Sequence, residues 1–297
     1  MKMRLLSTAV GLLLIILVTA GCSNGDKAIN NQYEQNDAAT RDTEEAMMDE
    51  KEEISATVFH KAQDNIVLPE IDDITSEWLN AIKNGEDTEK FYKENALLFY
   101  EDEKYMQGSK AISGFYNSKV QTFGDMESIY VSYRKQLKEN GLMAYETAQI
   151  TMGNGQVYQY LVIWSKWGDK WLRDLETVAL KTESQNDDNG IDSARVKWVE
   201  LSNKHSAIDL AKELYTEDFV YYNRGVICEG YENLASTYSY MNMPDYSVNL
   251  QKDICEPVHP DMTFEIGTYT TPHGEGSYVI IWREKDGLWK IFLDSNW

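Results

Sequence analysis

Gln159 to Trp171 reads QYLVIWSKWGDKW, and Ser277 to Trp289 reads SYVIIWREKDGLW. In each, an apolar run reaches a tryptophan, Trp164 or Trp282, and a second one, Trp171 or Trp289, follows across a turn. Tyr278, Ile280 and Trp282 alternate with Val279 and Ile281, so both faces of this strand are apolar. Such a strand is central in its sheet and covered on both sides. Trp167-Gly168-Asp169 and Lys285-Asp286-Gly287 supply hairpin turns, and the last strand follows at Leu288 to Asp294.

The match extends backwards along both copies with an offset of about 119 residues. Met143-Ala144-Tyr145-Glu146 answers Met262-Thr263-Phe264-Glu265. Before these, Gly108 and Gly230 each open a short helical stretch, SKAISGFY and YENLASTY. Aromatic strands precede the glycines, Ala96 to Tyr100 in one copy and Phe219 to Tyr222 in the other. Helical stretches with Trp78 and Trp198 near their starts come first. A period this long means two tandem domains rather than a solenoid. The boundaries read as 69–182 and 191–297, with the polar run 183–190 as linker.

Each unit opens on an amphipathic helix. In the first copy Ile74, Trp78, Leu79 and Ile82 fall at helical spacing, with Asp72, Asp73 or Thr75 as candidate caps. A short helix, a strand pair, a third helix and three or four long antiparallel strands follow. The expected class is α+β: two tandem cone-shaped domains, each a strongly bent antiparallel sheet packed on about three helices.

Phe264-Glu265-Ile266-Gly267-Thr268-Tyr269, the glycine before the third helix and the ending YVIIWREKDGLWKIFLD resemble the nuclear transport factor 2-like superfamily, closest to its SnoaL-like (polyketide-cyclase-like) branch. The second copy carries the resemblance, and the first is recognisable through the second. The resemblance implies a sheet wrapped as a cone around helices, with a pocket opening into the cone. It spans isomerases, cyclases and dehydratases as well as non-catalytic binding and assembly domains.

The N-terminus reads MKMRLLSTAVGLLLIILVTAGC. Lys2 and Arg4 precede an apolar run too short to span a bilayer core, which fits a secretory signal. Val18-Thr19-Ala20-Gly21-Cys22 resembles a lipobox. It implies a signal peptide at 1–21, lipidation of Cys22 with palmitate among its acyl chains, and a cell-membrane, extracytoplasmic location. Residues 22–68 read as a disordered acidic tether: between Asp37 and Glu53 eight acids stand against Arg41 and Lys51. Such a segment buries too little apolar surface to offset its ordering entropy, and as a coil it reaches roughly 40 Å.

The formal charge of −21 disfavours nucleic acid and anionic headgroups as partners. Cys228 and Cys255 are open to pairing in an oxidising compartment. His60, His205, His259 and His273 lack metal-binding spacing, so no metal or cofactor is expected.

Chemistry on this fold needs a carboxylate or His held in apolar walls. Glu265 and Glu146 recur at equivalent strand positions, as do Asp294 and Glu176. Glu265, Asp294 and Glu146 are the candidate catalytic groups; the plainer alternative is a structural carboxylate paired with Arg or Tyr. Tyr221, Tyr222, Tyr278, Trp282 and Trp164 are candidate ligand contacts, with core anchoring as their alternative. Isomerases of the superfamily use an Asp base with a Tyr and a protonated acid. No Tyr lies within two turns after Trp78 or Trp198, which argues against that chemistry here. The favoured expectation is a non-catalytic module binding a small apolar or aromatic ligand or an envelope protein, its domains forming an intramolecular pseudo-dimer. The rival is a cyclase, isomerase or hydrolase using a pocket carboxylate.

Overall fold

The computed structural model describes residues 58–61, 68–101, 105–136, 141–183 and 188–296. The signal sequence, Cys22 and most of the run 22–68 lie outside the described residues. The exceptions are Leu68 and β1 (Val58–Lys61), which pairs in parallel with β4 (Met126–Gln136). Four residues of the stretch read as coil are therefore an edge strand, because β4 offers them its free backbone groups.

In the first half α1 (Pro69–Lys83) buries Ile71, Thr75, Trp78, Leu79 and Ile82 along one face. Pro69 opens the helix, where its missing N–H costs nothing. Asp72, Asp73 and Thr75 lie inside the helix rather than capping it, and Leu68 at the N-cap makes no side-chain bond. A 3₁₀ turn at Glu89–Phe91 leads to β2 (Tyr92–Tyr100), β3 (Met106–Gln107), α2 (Ser109–Ser118) and α3 (Val120–Phe123). After β4 come β5 (Met143–Met152), β6 (Val157–Trp167) and β7 (Lys170–Leu180). The sheet order is β1-β4-β5-β6-β7-β2-β3.

The second half repeats this plan. α4 (Asp188–Asn203) begins inside the run read as linker, and α5 (Ala207–Leu214) is a full helix where the first half has the 3₁₀ turn. β8 (Tyr215–Asn223), β9 (Val226–Cys228), α6 (Tyr231–Thr237) and a 3₁₀ turn at Ser239–Asn242 follow. Then come β10 (Asn249–His259), β11 (Met262–Thr271), β12 (Gly274–Lys285) and β13 (Leu288–Asn296), in the order β10-β11-β12-β13-β8-β9. Gly108 and Gly230, at φ +101° and +85°, turn the chain into α2 and α6 through backbone that side chains resist.

The class is α+β, as expected, with one refinement to the sheets. β2 on β7 and β8 on β13 are parallel pairs, while the long meander strands are antiparallel. The many residues between the paired strands allow a parallel return that a hairpin could not.

One face of each sheet packs on its own helices. Trp78, Tyr116, Tyr160 and Trp164 belong to the first such core, and Trp198, Tyr215, Tyr238 and Trp282 to the second. The opposite faces share a third core: Leu97, Phe99, Leu161 and Ile163 cluster with Tyr222, Phe264, Val279 and Ile281. Phe99 meets Phe292 edge-on at 5.8 Å, and the Thr182 N–H donates to the Val258 carbonyl at 2.9 Å. β12 thus has both faces covered, by its own helices and by the other sheet. Cys228 and Cys255 stand on β9 and β10, the opposite edge strands of one sheet, and are not joined to each other.

Candidate functional site

The recurring glutamates on β5 and β11 are closed structural nodes. Arg195, reaching down from α4, donates Nε to Glu265 Oε1 at 2.7 Å and Nη2 to Oε2 at 2.6 Å. Tyr278 adds a hydrogen bond at 2.7 Å and Trp282 Nε1 another at 2.8 Å. Gly267 makes room for this: a Cβ there would stand 2.3 Å from the Tyr278 ring. Glu146 is bound by Arg134 Nε at 2.5 Å and by the Tyr160 hydroxyl. Each arginine also holds an aspartate at 2.6 Å, Asp72 in the first half and Asp192 in the second. Each glutamate is thus buried against an arginine and a phenol, the arrangement of a structural ion pair.

The arginine comes from different elements. Arg195 lies on α4 three residues before Trp198, and the matching position before Trp78 is Thr75. Arg134 lies on β4 opposite Glu146, and the residue opposite Glu265 is Cys255.

The second recurring pair of acids sits further in along the meander, on the strand that closes each half. Val162 is opposite Glu176, and Ile280 is opposite Asp294. Tyr92 and Tyr116 donate to Glu176 at 2.6 and 2.7 Å, and Trp78 Nε1 donates to the Tyr92 hydroxyl at 2.9 Å. Tyr215 and Tyr238 donate to Asp294 Oδ2 at 2.5 and 2.6 Å, and Trp198 Nε1 lies 3.3 Å from the Tyr215 oxygen. Both phenols fall on Oδ2, and no donor among the described residues takes Oδ1.

The halves part at one residue. Arg173, opposite Trp164, is fully buried and pairs with Glu176 at 3.2 Å. Its guanidinium lies 3.8 Å over the Trp78 ring and 4.8 Å from that of Trp164. Its counterpart opposite Trp282 is Ile291. Among the described residues Asp294 therefore has two phenols but no cation. Burial pushes its carboxyl up to about 6, although both tyrosine bonds pull the other way. Burial, and then the Asp294 charge, raise Tyr215 and Tyr238 well above the ordinary phenol range, so both remain donors.

Beside Asp294 a cavity of about 290 Å³ opens between α4, the Ser239–Asn242 turn and the sheet. Trp198, Tyr240, Tyr246, Tyr269 and Tyr278 supply aromatic walls, Ile280 part of the base, and exposed Asp245 and His273 lie towards the mouth.

Of the sequence candidates, Asp294 and Tyr278 line this cavity. Tyr221 and Tyr222 do not: neighbours on a strand point to opposite faces. Tyr222 turns to the third core, where its hydroxyl meets the Asp174 carboxylate, and Tyr221 backs Tyr238 at 5.4 Å. Trp282 is spent on Glu265, and Trp164 lies under Arg173, so both are core anchors. Sequence reasoning missed Tyr215, Tyr238, Tyr240, Tyr246 and Tyr269. The signal within reach was the substitution of Ile291 for Arg173 in otherwise matching last strands. Among the described residues no three His, Cys, Asp or Glu side chains gather as a metal site, and no helix is long and apolar enough to cross a membrane.

No family model matches the chain, and no curated protein does. Solved structures do. A nuclear transport factor 2-like protein of unknown function from Shewanella oneidensis is 15% identical, with 36% of this chain and 96% of that one covered and a TM-score of 0.32. One from Cytophaga hutchinsonii is 16% identical, covering 38% and 98%, at 0.31. A protein from Novosphingobium aromaticivorans, provisionally assigned as a scytalone dehydratase, is 13% identical, covering 36% and 80%, at 0.32. The described residues themselves form two bent sheets, each with its own helices, in a tandem α+β arrangement.

Proposed function

We propose that the chain is a lipoprotein anchored through Cys22 on the extracytoplasmic face of the cell membrane, and that its domain pair is a non-catalytic module binding a small apolar or aromatic ligand. The second half is the receptor. The first half is its filled counterpart, docked sheet to sheet as an intramolecular pseudo-dimer. The observation carrying this reading is the aromatic cavity beside Asp294, lined by Trp198 and Tyr278, whose first-half counterparts Trp78 and Tyr160 have Arg173 against them. Glu265 and Glu146 support a binding role, since arginine neutralises both.

Native mass spectrometry of the gently extracted full chain tests the proposal. A small molecule is expected to accompany the wild-type protein and to be absent from Ile291→Arg, which puts a cation where the first half has one. Equal bound mass in both would overturn the assignment to this cavity. Cys22→Ser is expected to move the protein from the membrane fraction to the soluble exported one, and unchanged fractionation would remove the anchor.

A second reading has one observation behind it. Asp294 is buried beside two phenols without a cation, and its carboxyl is raised to about 6, a value suited to proton transfer. Under that reading the recovered mass would be a substrate converted by wild type and left intact by Asp294→Asn.

A further inference from the structure

The two cones differ in what fills them, and the first shows which chemistry its walls accept. Arg173 stacks on Trp78 at 3.8 Å, lies 5.5 Å from the Tyr160 ring and pairs with Glu176. None of its guanidinium nitrogens makes a well-directed hydrogen bond among the described residues, so ring faces and one carboxylate hold it. The same groups stand in the second half. Trp198 answers Trp78, Tyr278 answers Tyr160, Asp294 answers Glu176, and all three line the cavity. Ile291 supplies no charge.

Ring faces present the negative lobes of their quadrupoles, so several around one space attract a cation. Tyr240, Tyr246 and Tyr269 add further rings to the cavity wall. Asp245 adds a carboxylate towards the mouth, no Lys or Arg among the described residues lines the cavity, and the chain carries −21 overall. Both phenols bind Asp294 Oδ2, and Asp294 itself lines the cavity.

We infer that the second cone binds a small organic cation, a protonated amine, quaternary ammonium or guanidinium group on an apolar body, which takes the place that Arg173 fills in the first. This rests on the binding role proposed above and names the class of ligand. The cationic group stacks on Trp198 and faces Asp294, while the body lies against the tyrosines.

Titration calorimetry of the full chain with three cations and their neutral isosteres tests it: choline against 3,3-dimethylbutan-1-ol, phenethylammonium against 2-phenylethanol, and propylguanidinium against propylurea. At least one cation is expected to bind about ten-fold tighter than its isostere. Asp294→Asn is expected to shrink that ratio towards one while leaving the neutral partner's affinity in place. Ile291→Arg is expected to abolish binding of the cation, and an unchanged thermal transition in either variant separates lost binding from lost folding. Isosteres that bind as well as every cation would overturn the inference and leave the apolar-ligand reading standing. Silence from all six probes, with a neutral molecule recovered by native mass spectrometry, would do the same. Silence with nothing recovered would overturn both.

Discussion

The two halves place the same carboxylates at the same points of the same sheet and neutralise them by different routes. At the outer position the first half draws its arginine from β4 and the second from α4, and both arginines go on to bind the aspartate one turn into the leading helix. At the inner position only the first half supplies an arginine at all. The outer difference is a change of supplier that leaves the node intact. The inner one leaves Asp294 without a cation and a cavity beside it. Duplication thus separates what the fold requires, a satisfied acid on the second meander strand, from what it tolerates, an unfilled cone.

The largest effect expected from disturbing this comparison is at the outer node. Arg134→Met leaves Glu146 buried with Tyr160 as its remaining donor, and removing one partner of a buried ion pair costs about 3–5 kcal/mol. Arg195→Met should cost about as much through Glu265, since two of that residue's four bonds come from the arginine. If supplier is interchangeable, adding Thr75→Arg to Arg134→Met should recover at least half of the loss, because Thr75 holds the position of Arg195 and its hydroxyl is already unbonded. Urea unfolding of the three variants measures this. No recovery in the double variant would mean that each node depends on its own supplier.

A smaller effect belongs to the inner position and is read through pH. Asp294 titrates at about 6 in the folded chain and near 3.9 in an unfolded one. The native state therefore keeps a proton that the unfolded chain has lost, and stability falls as pH rises from about 4 to 6. The loss comes to about 2–3 kcal/mol by pH 7. The groups facing Asp294 are Tyr215 from β8, Tyr238 after α6 and Trp198 from α4, with Asn296 on its own strand. None of these titrates in that window, and Asp245 and His273, which share the cavity, are common to both proteins compared. Asp294→Asn should therefore gain on wild type across the window and run level above it. A constant difference between the two from pH 4 to 8 would contradict the unfilled site, and a saturating organic cation should flatten it.

Much of this was legible in the residues. The tryptophan spacing and the recurring acids gave the repeat and the four carboxylates, because those side chains sit on strands whose alternation is visible locally. The phenols that bind them were not legible. Tyr215 and Tyr238 lie 79 and 56 residues from Asp294, and it is the closing of the sheet that brings them together. Tyr240 and Tyr246 fall in and after a 3₁₀ turn, where no period marks a face. Tyr222 was misplaced for a related reason: the apolar run Val220–Tyr222 shows that both faces are covered but not which one meets the other sheet.

The smallest effect expected concerns the floor of the outer node. Opposite Tyr160 the first half has Ala148, and opposite Tyr278 the second has Gly267. A Cβ on Gly267 would lie 2.3 Å from the Tyr278 ring and 2.5 Å from the Gln251 carbonyl, so both side chain and neighbouring strand must shift. Overpacking of this kind costs about 1–3 kcal/mol. Gly267→Ala should fall at the lower end, since the first half shows that the layout accepts a methyl at this row. The sharper readout is the Tyr278 hydroxyl, which bonds Glu265 at 2.7 Å while its residue also lines the cavity. If the methyl displaces that ring, affinity for the bound molecule falls more than stability does, whereas a fall in stability alone would place Tyr278 with the core and not with the site.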